Sequence, residues 1–337
     1  MNKLLFLAPL MIILMLAGAT FMRNNVLKDR ISYWGDVVKK SPGKPRGYNS
    51  LGLAYAGTGR FDKALELYEK ALSLYQMRRG TKEGLYNVYV NRGLAYVKMN
   101  FYDKAIDDYN KAISLFPDFA VAYNNRGVVY ASHDRPEEAL EDFNKALILN
   151  PNYVEALHSR GYYYLSTGRY DDAIRDFTAA IRLNPDDPSL YGIRGSAYEK
   201  KGEHVRAIND LDRAISATPE EPFYYVNRGL AYDGTGQFLK AIRDYNTAIL
   251  LAPKTAHTYV IRGITYGKQR LYDNALKDFN QAIALEPDSA EGYFNRGYVF
   301  HLTNMHAAAL ADFKQACSLG EKTACDFLRR GFKKSSR

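Results

Sequence analysis

The sequence is poor in the residues from which stapled folds and metal centres are built. Two cysteines in 337 residues exclude a disulfide-rich scaffold and a cysteine-ligated zinc centre. Its six histidines, His133, His158, His204, His257, His301 and His306, show no metal-ligand spacing. Even the closest pair, His301 and His306, is five apart and falls on different faces of a helix. No histidine lies within ten residues of either cysteine, so Cys317 and Cys325 lack the partners a metal would need. Phosphate loops are missing too, because Gly57-Thr58-Gly59 and Gly234-Thr235-Gly236 are not followed by another glycine or by Gly-Lys-Ser/Thr. No Ser–His–Asp or Cys–His arrangement stands out. These absences point away from an enzyme, and no cofactor or metal is expected.

What the sequence has instead is a period. Glycines stand at Gly52, Gly93, Gly127, Gly161, Gly195, Gly229, Gly263 and Gly297; the first spacing is 41 residues and the six that follow are all 34. Four residues before each glycine comes a large side chain, tyrosine in seven copies and Leu157 in the other, and three after it a tyrosine or Phe300. Offsets of −4, 0 and +3 share one helix face. Alanine recurs at +12 and +19, an aromatic or leucine at +16, and proline at +24 in six copies, from Pro117 to Pro287. Glycine is a poor helix residue, by about 1 kcal/mol against alanine, so keeping it in every copy implies that another backbone comes close there. Gly168-Arg169 and the two Gly-Thr-Gly stretches mark a turn between two helices, and the proline ends the second. Each copy reads as a helix–turn–helix hairpin.

Large residue, glycine, tyrosine, alanine, aromatic, alanine and proline at these offsets resemble the tetratricopeptide repeat, over about residues 45–323. The resemblance implies an all-α, right-handed solenoid of antiparallel helix pairs, with first helices lining a concave groove where partner peptides bind. Hairpins of this size cannot bury a core alone, so stacking on neighbours agrees with it.

Both ends depart from the repeat. Residues 4–22 are apolar and uncharged, which suits a transmembrane anchor, although Pro9 interrupts them, or a signal peptide cleaved near Ala17-Gly18-Ala19. No cysteine follows to accept lipid. Residues 23–44 read as a half-repeat capping the array, with Trp34 on the aromatic slot and Pro42 as the closing proline. Repeat one carries seven extra residues around Arg78-Arg79-Gly80-Thr81, which lengthens its second helix or the next first helix. After repeat eight, residues 324–337 read as a closing helix and a basic tail. Cys317 and Cys325, eight apart across the corner, resemble the bridged pair of Sel1-like repeats, and that resemblance implies a disulfide in an exported chain.

Charge is divided unevenly. Of the net +9, residues 1–46 carry +6 and residues 327–337 carry +5, which leaves −2 on the repeat body. A basic excess confined to the ends argues against nucleic acid as partner, and at the N-terminal end it suits a membrane surface.

Two ladders run through the copies. Arginine precedes the glycine in seven of them (Arg92 to Arg296), and the same seven carry aspartate at +15 (Asp108 to Asp312). Repeat one lacks both, with Leu51 and Leu67 in their place. Gained and lost together, they are expected to form a partly buried salt bridge between packed helices. Asparagine stands at −2 as Asn91, Asn125, Asn227 and Asn295, with Ser50 and Ser159 as polar substitutes and Ile193 and Ile261 as breaks. An amide both donates and accepts, so such a row can hold an extended peptide backbone; the alternative is local hydrogen bonding within the helix pair. The slot is similar to the asparagine ladder of protein O-linked N-acetylglucosamine transferases, whose catalytic domain is missing here. Family geometry adds Asn124, His158 and Phe294 at −3 and Tyr162 and Tyr298 at +1 as groove contacts. The lysine and asparagine clamp of members that bind chaperone tails is not matched.

The reading is a noncatalytic scaffold that binds a protein or peptide segment in its groove. It would sit in a bacterial envelope, anchored in the inner membrane with periplasmic repeats, or exported. The alternative is an adaptor presenting substrate to a separate glycosyltransferase.

Overall fold

The computed structural model describes residues 29–77 and 84–330. The N-terminal apolar run, the Arg78–Thr81 insertion and the basic tail lie outside them. Among the described residues there are only helices, and none is long and apolar enough to cross a membrane. The chain forms two compact units, to residue 160 and from residue 161.

In the first unit, helix α1 (29–40) precedes three hairpins, α2/α3 (Pro45–Gly57, Phe61–Met77), α4/α5 (Leu85–Lys98, Tyr102–Leu115) and α6/α7 (Ala120–Ala131, Pro136–Leu149). Helix α8 (Val154–Ser166) carries the division between the units. In the second unit, α9 (Tyr170–Leu183) precedes α10/α11 (Pro188–Lys201, His204–Ala217), α12/α13 (Pro222–Gly234, Phe238–Leu251), α14/α15 (Ala256–Lys268, Tyr272–Leu285) and α16/α17 (Ala290–Leu302, His306–Ser318), and α18 (Lys322–Arg330) closes it. Part of the extra length of repeat one lies in its second helix, since α3 has 17 residues where α5 has 14.

Every first helix ends the same way. The residue seven after the marker glycine has positive φ in all eight copies: Gly59, Asn100, Asp134, Gly168, Gly202, Gly236, Arg270 and Asn304. This left-handed residue reverses the chain, and four of the eight are glycine because only glycine adopts it without strain. Six second helices stop two residues before the closing proline, whose ring and missing N–H cannot continue them.

The marker glycines correct one expectation. The atoms nearest to a Cβ built on them belong to side chains, and only at Gly195 is a backbone atom among the nearest three, Ala207 O at 3.3 Å. The ring at +16 claims the space. A Cβ on Gly93 would stand 2.6 Å from Cε1 of Tyr109, and one on Gly263 would stand 2.6 Å from Cε1 of Phe279. Seven copies repeat this glycine–ring contact, and Leu211 takes the ring's place against Gly195. Alanines at +12 and +19 flank the ring on its own helix and are buried throughout. Glycine therefore lets a large ring lie flat between the two helices, and the ring's burial offsets the helix propensity lost.

The C-terminal helix is tied in twice. Cys317 and Cys325 form a disulfide, and the Phe327 ring stacks on Phe313 at 5.2 Å between centroids. Lys322, Asp326 and Arg329 face solvent, so the outer side is polar, as a capping helix requires. Phe327, Arg330 and Gly331 stand 34 residues after Tyr293, Arg296 and Gly297, so the cap keeps the offsets of a first helix. Replacing both cysteines by serine is expected to lower the stability of this end by about 2 kcal/mol. Amide hydrogen exchange should then accelerate in α18 and not in α10–α13. Unchanged exchange in α18 would mean that ring packing alone holds it.

Candidate protein-binding surface

The arginine–aspartate ladder is the scaffold on which the surface rests. Arg92, Arg126, Arg194, Arg228, Arg262 and Arg296 each form two parallel hydrogen bonds to the aspartate at +15, with Nε to Oδ2 and Nη2 to Oδ1 at 2.6–2.8 Å. Each of these six guanidinium groups also lies 5.6–5.9 Å from the rings at −4 and +3, with only Arg296 limited to Phe300 at +3 in place of tyrosine. The conspicuous tyrosines thus cover a cation as well as a core.

A second bond was not foreseen. The remaining nitrogen, Nη1, reaches back to the preceding repeat: Arg160 donates to Asn144 at 2.7 Å, Arg194 to Thr178 at 3.1 Å, Arg228 to Asp212 at 2.6 Å and Arg262 to Asn246 at 2.6 Å. Arg126 donates in the same way to Asn110, and Arg296 to Asn280. The ladder therefore joins repeats as well as helices. Its signal was in the sequence, because position +17 always carries a side-chain oxygen in the copies that receive the bond. Burial alone would push the Arg228 guanidinium down, but hydrogen bonds to Asp244 and Asp212 outweigh it and its pKa is raised.

With the helices held in register, the first helices present their rows. The −2 asparagines divide by unit. In the second unit both turn back on their own helix, Asn227 Nδ2 donating to Phe223 O at 2.8 Å and Asn295 Nδ2 to Glu291 O at 2.9 Å. In the first unit the amides bond one another. Asn91 Nδ2 donates to Asn49 Oδ1 of the preceding repeat at 3.1 Å, and Asn124 Nδ2 to Asn125 Oδ1 at 3.4 Å. Asn124 is only 5% exposed, and its Oδ1 is buried with no hydrogen-bond partner.

The −3 row is mostly interior. Val90, Asn124, Gly192 and Val260 are buried, and a Cβ on Gly192 would collide with the Tyr224 ring of the next first helix. His158 is half-buried. Phe294 packs against Phe313 at 5.8 Å and Phe327 at 6.3 Å, so it belongs to the core beneath α18. Five of the eight +1 residues face solvent, while Leu230 and Ile264 are half-buried and Ser196 is buried. Leu53, Leu94 and Val128 are 51%, 40% and 44% exposed in the first unit, and Tyr162 and Tyr298 are 58% and 43% exposed in the second. Tyr298 also lies 6.5 Å from the Phe327 ring. Among the described residues, no group of three or more His, Cys, Asp or Glu could hold a metal ion.

Comparison with known proteins agrees with this geometry. Tetratricopeptide repeat profiles match residues 45–118, 120–153, 158–222, 224–255 and 290–322, and a TPR repeat profile matches 272–304. Heat shock protein STI1 of Saccharomyces cerevisiae is 35% identical over 72 residues, 21% of this chain and 12% of that protein. The crystal structure of the APC/C hetero-tetramer Cut9–Hcn1 aligns with a TM-score of 0.61 and 22% identity, over 90% of this chain and 58% of that one. A tetratricopeptide repeat protein from Parabacteroides merdae aligns at 0.56 with 21% identity, over 79% of this chain and 98% of that one. The chain thus spans little more than half of the Cut9–Hcn1 chain and a small part of the yeast protein. These structural likenesses speak to fold alone. With profile matches along almost the whole repeat body, on hairpins built from a glycine–ring contact, the chain belongs to the tetratricopeptide repeat family.

Proposed function

We propose that this protein-interaction scaffold holds an extended segment of a partner protein against the first helices of its N-terminal unit. The observation that carries the reading is the exposed apolar row made by Leu53, Leu94 and Val128, on the same first helices as Asn49, Asn91, Asn124 and Asn125. An exposed apolar row gives the contact area, and the amides pair with the backbone of the bound segment.

The Cys317–Cys325 disulfide supports an oxidising compartment. With the apolar run at 4–22, it favours a place in the bacterial envelope, anchored in the inner membrane or exported. The glycosyltransferase-adaptor reading is weaker, because two of its four ladder amides are engaged on their own helices.

Photo-crosslinking groups placed at 53, 94 and 128 in the full chain, in cells, test the proposal. A discrete partner adduct is expected from these positions and not from half-buried Lys145 on α7. Replacing Leu53, Leu94 and Val128 by aspartate should abolish the adduct and keep the helical circular dichroism. Equal adducts from Lys145, or none from the row, would overturn it.

A further inference from the structure

Position +10, in the first turn of each second helix, is acidic in five repeats: Asp62, Asp103, Glu137, Asp171 and Asp273. Acid there complements the positive end of the helix dipole and keeps an exposed position soluble. Repeat eight has the small Ala307 there, and two consecutive repeats put a large aliphatic in place of the acid. Repeat five has Val205, 68% exposed, and repeat six has Leu239, 82% exposed. Neither α11 nor α13 has any acid in its first turn or a side-chain hydrogen bond at its N-cap. Single exposed aliphatics are ordinary on a surface, but a large one in the same slot of two successive repeats, in place of its charge, is not.

The surroundings are basic. Arg206 and Lys240 are exposed on the same first turns, and Arg243 is exposed one turn further along, four residues after Leu239. Arg206 is paired with Glu203 at 2.8 Å, and Lys240 donates to the uncharged Gln237 at 2.8 Å. Beside Val205 opens a concavity of about 430 Å³, lined by Gly202, Glu203, His204, Val205, Arg206 and Thr235, so residues of repeats five and six share it. His204 Nδ1 is buried there without a hydrogen-bond partner. The repeat body as a whole is slightly acidic, so a basic and aliphatic patch within it is local and specific.

We infer that this edge of the second unit is a separate docking surface for an acidic segment of a partner protein that carries aliphatic side chains. The aliphatic side chains pack on Val205 and Leu239 and enter the concavity, and the carboxylates meet Arg206, Lys240 and Arg243. The concavity favours a peptide over an anionic membrane, since two aliphatic residues are too few to enter a bilayer with useful affinity. The surface lies on second helices and does not depend on the first-helix row proposed above.

The full chain is titrated with a fluorescent synthetic peptide of leucines interspersed with aspartate and glutamate, and with phosphatidylcholine vesicles containing phosphatidylserine. Saturable peptide binding is expected, weakened at least about tenfold by Val205→Asp with Leu239→Asp. Those substitutions restore the residue type of five sister repeats, so the thermal midpoint should hold or rise. Arg206→Glu with Lys240→Glu should weaken binding comparably, and the Leu53, Leu94 and Val128 substitutions should leave it unchanged. No saturable binding, binding indifferent to residues 205 and 239, or vesicle binding without peptide binding would each overturn the inference.

Discussion

Replacing Arg262 by leucine is expected to destabilise the protein by about 3 kcal/mol, and Asp278→Leu by a similar amount. The double substitution should cost about 1 kcal/mol, less than either alone. Asp278 is 5% exposed and accepts both bonds of the guanidinium, so removing Arg262 strands a buried carboxylate. Removing Asp278 strands a cation between the Tyr259 and Tyr266 rings, with only Asn246 left as a partner. Replacing both puts leucine in the two slots, the combination that repeat one already has with Leu51 and Leu67. A double-mutant cycle by guanidinium chloride unfolding measures the coupling. Additive single effects would show that the pair contributes no more than two independent surface contacts.

The second large effect concerns the ring on the glycine. Phe279→Ala is expected to cost about 4 kcal/mol, near the upper end for a core aromatic. Gly263 has no side chain to fill the hole, and the flanking Ala275 and Ala282 are as small as the new residue. Gly263→Val should cost about 2 kcal/mol, because its Cβ alone would press within 2.6 Å of a ring that is 1% exposed. Combined, the two changes compensate in volume, so the double variant should be more stable than Phe279→Ala. If adding Gly263→Val to Phe279→Ala lowers the midpoint further, the glycine is retained for some reason other than the ring.

Much of this architecture could be read from residue spacing. A strict 34-residue interval, with glycine, rings and alanines at set offsets, leaves hairpin stacking as the arrangement that buries them all. The arginine–aspartate pairing was equally legible, because repeat one loses both residues at once. The back-bond from each arginine to +17 was present in the pattern but concealed, since Asn, Thr and Asp alternate there and a mixed column does not announce a common acceptor.

The candidate site was legible only as rows. Asn91, Asn125, Asn227 and Asn295 occupy one slot in one-dimensional order, yet two bond their own helix and two take part in amide pairs. An amide can serve a carbonyl four residues back or a neighbour one repeat away, and the choice depends on how closely the next helix approaches. Phe294 and Tyr162 likewise occupy adjoining groove slots. The C-terminal cap covers the first, while the second stays 58% exposed. Local spacing by itself determined the hairpin, its turn, its buried small residues and its paired charges, because those interactions lie within one repeat or the next. Which polar groups remain available to a partner, and which rings are core, was decided only by tertiary packing, because burial belongs to the neighbours of a residue and not to its place in the period.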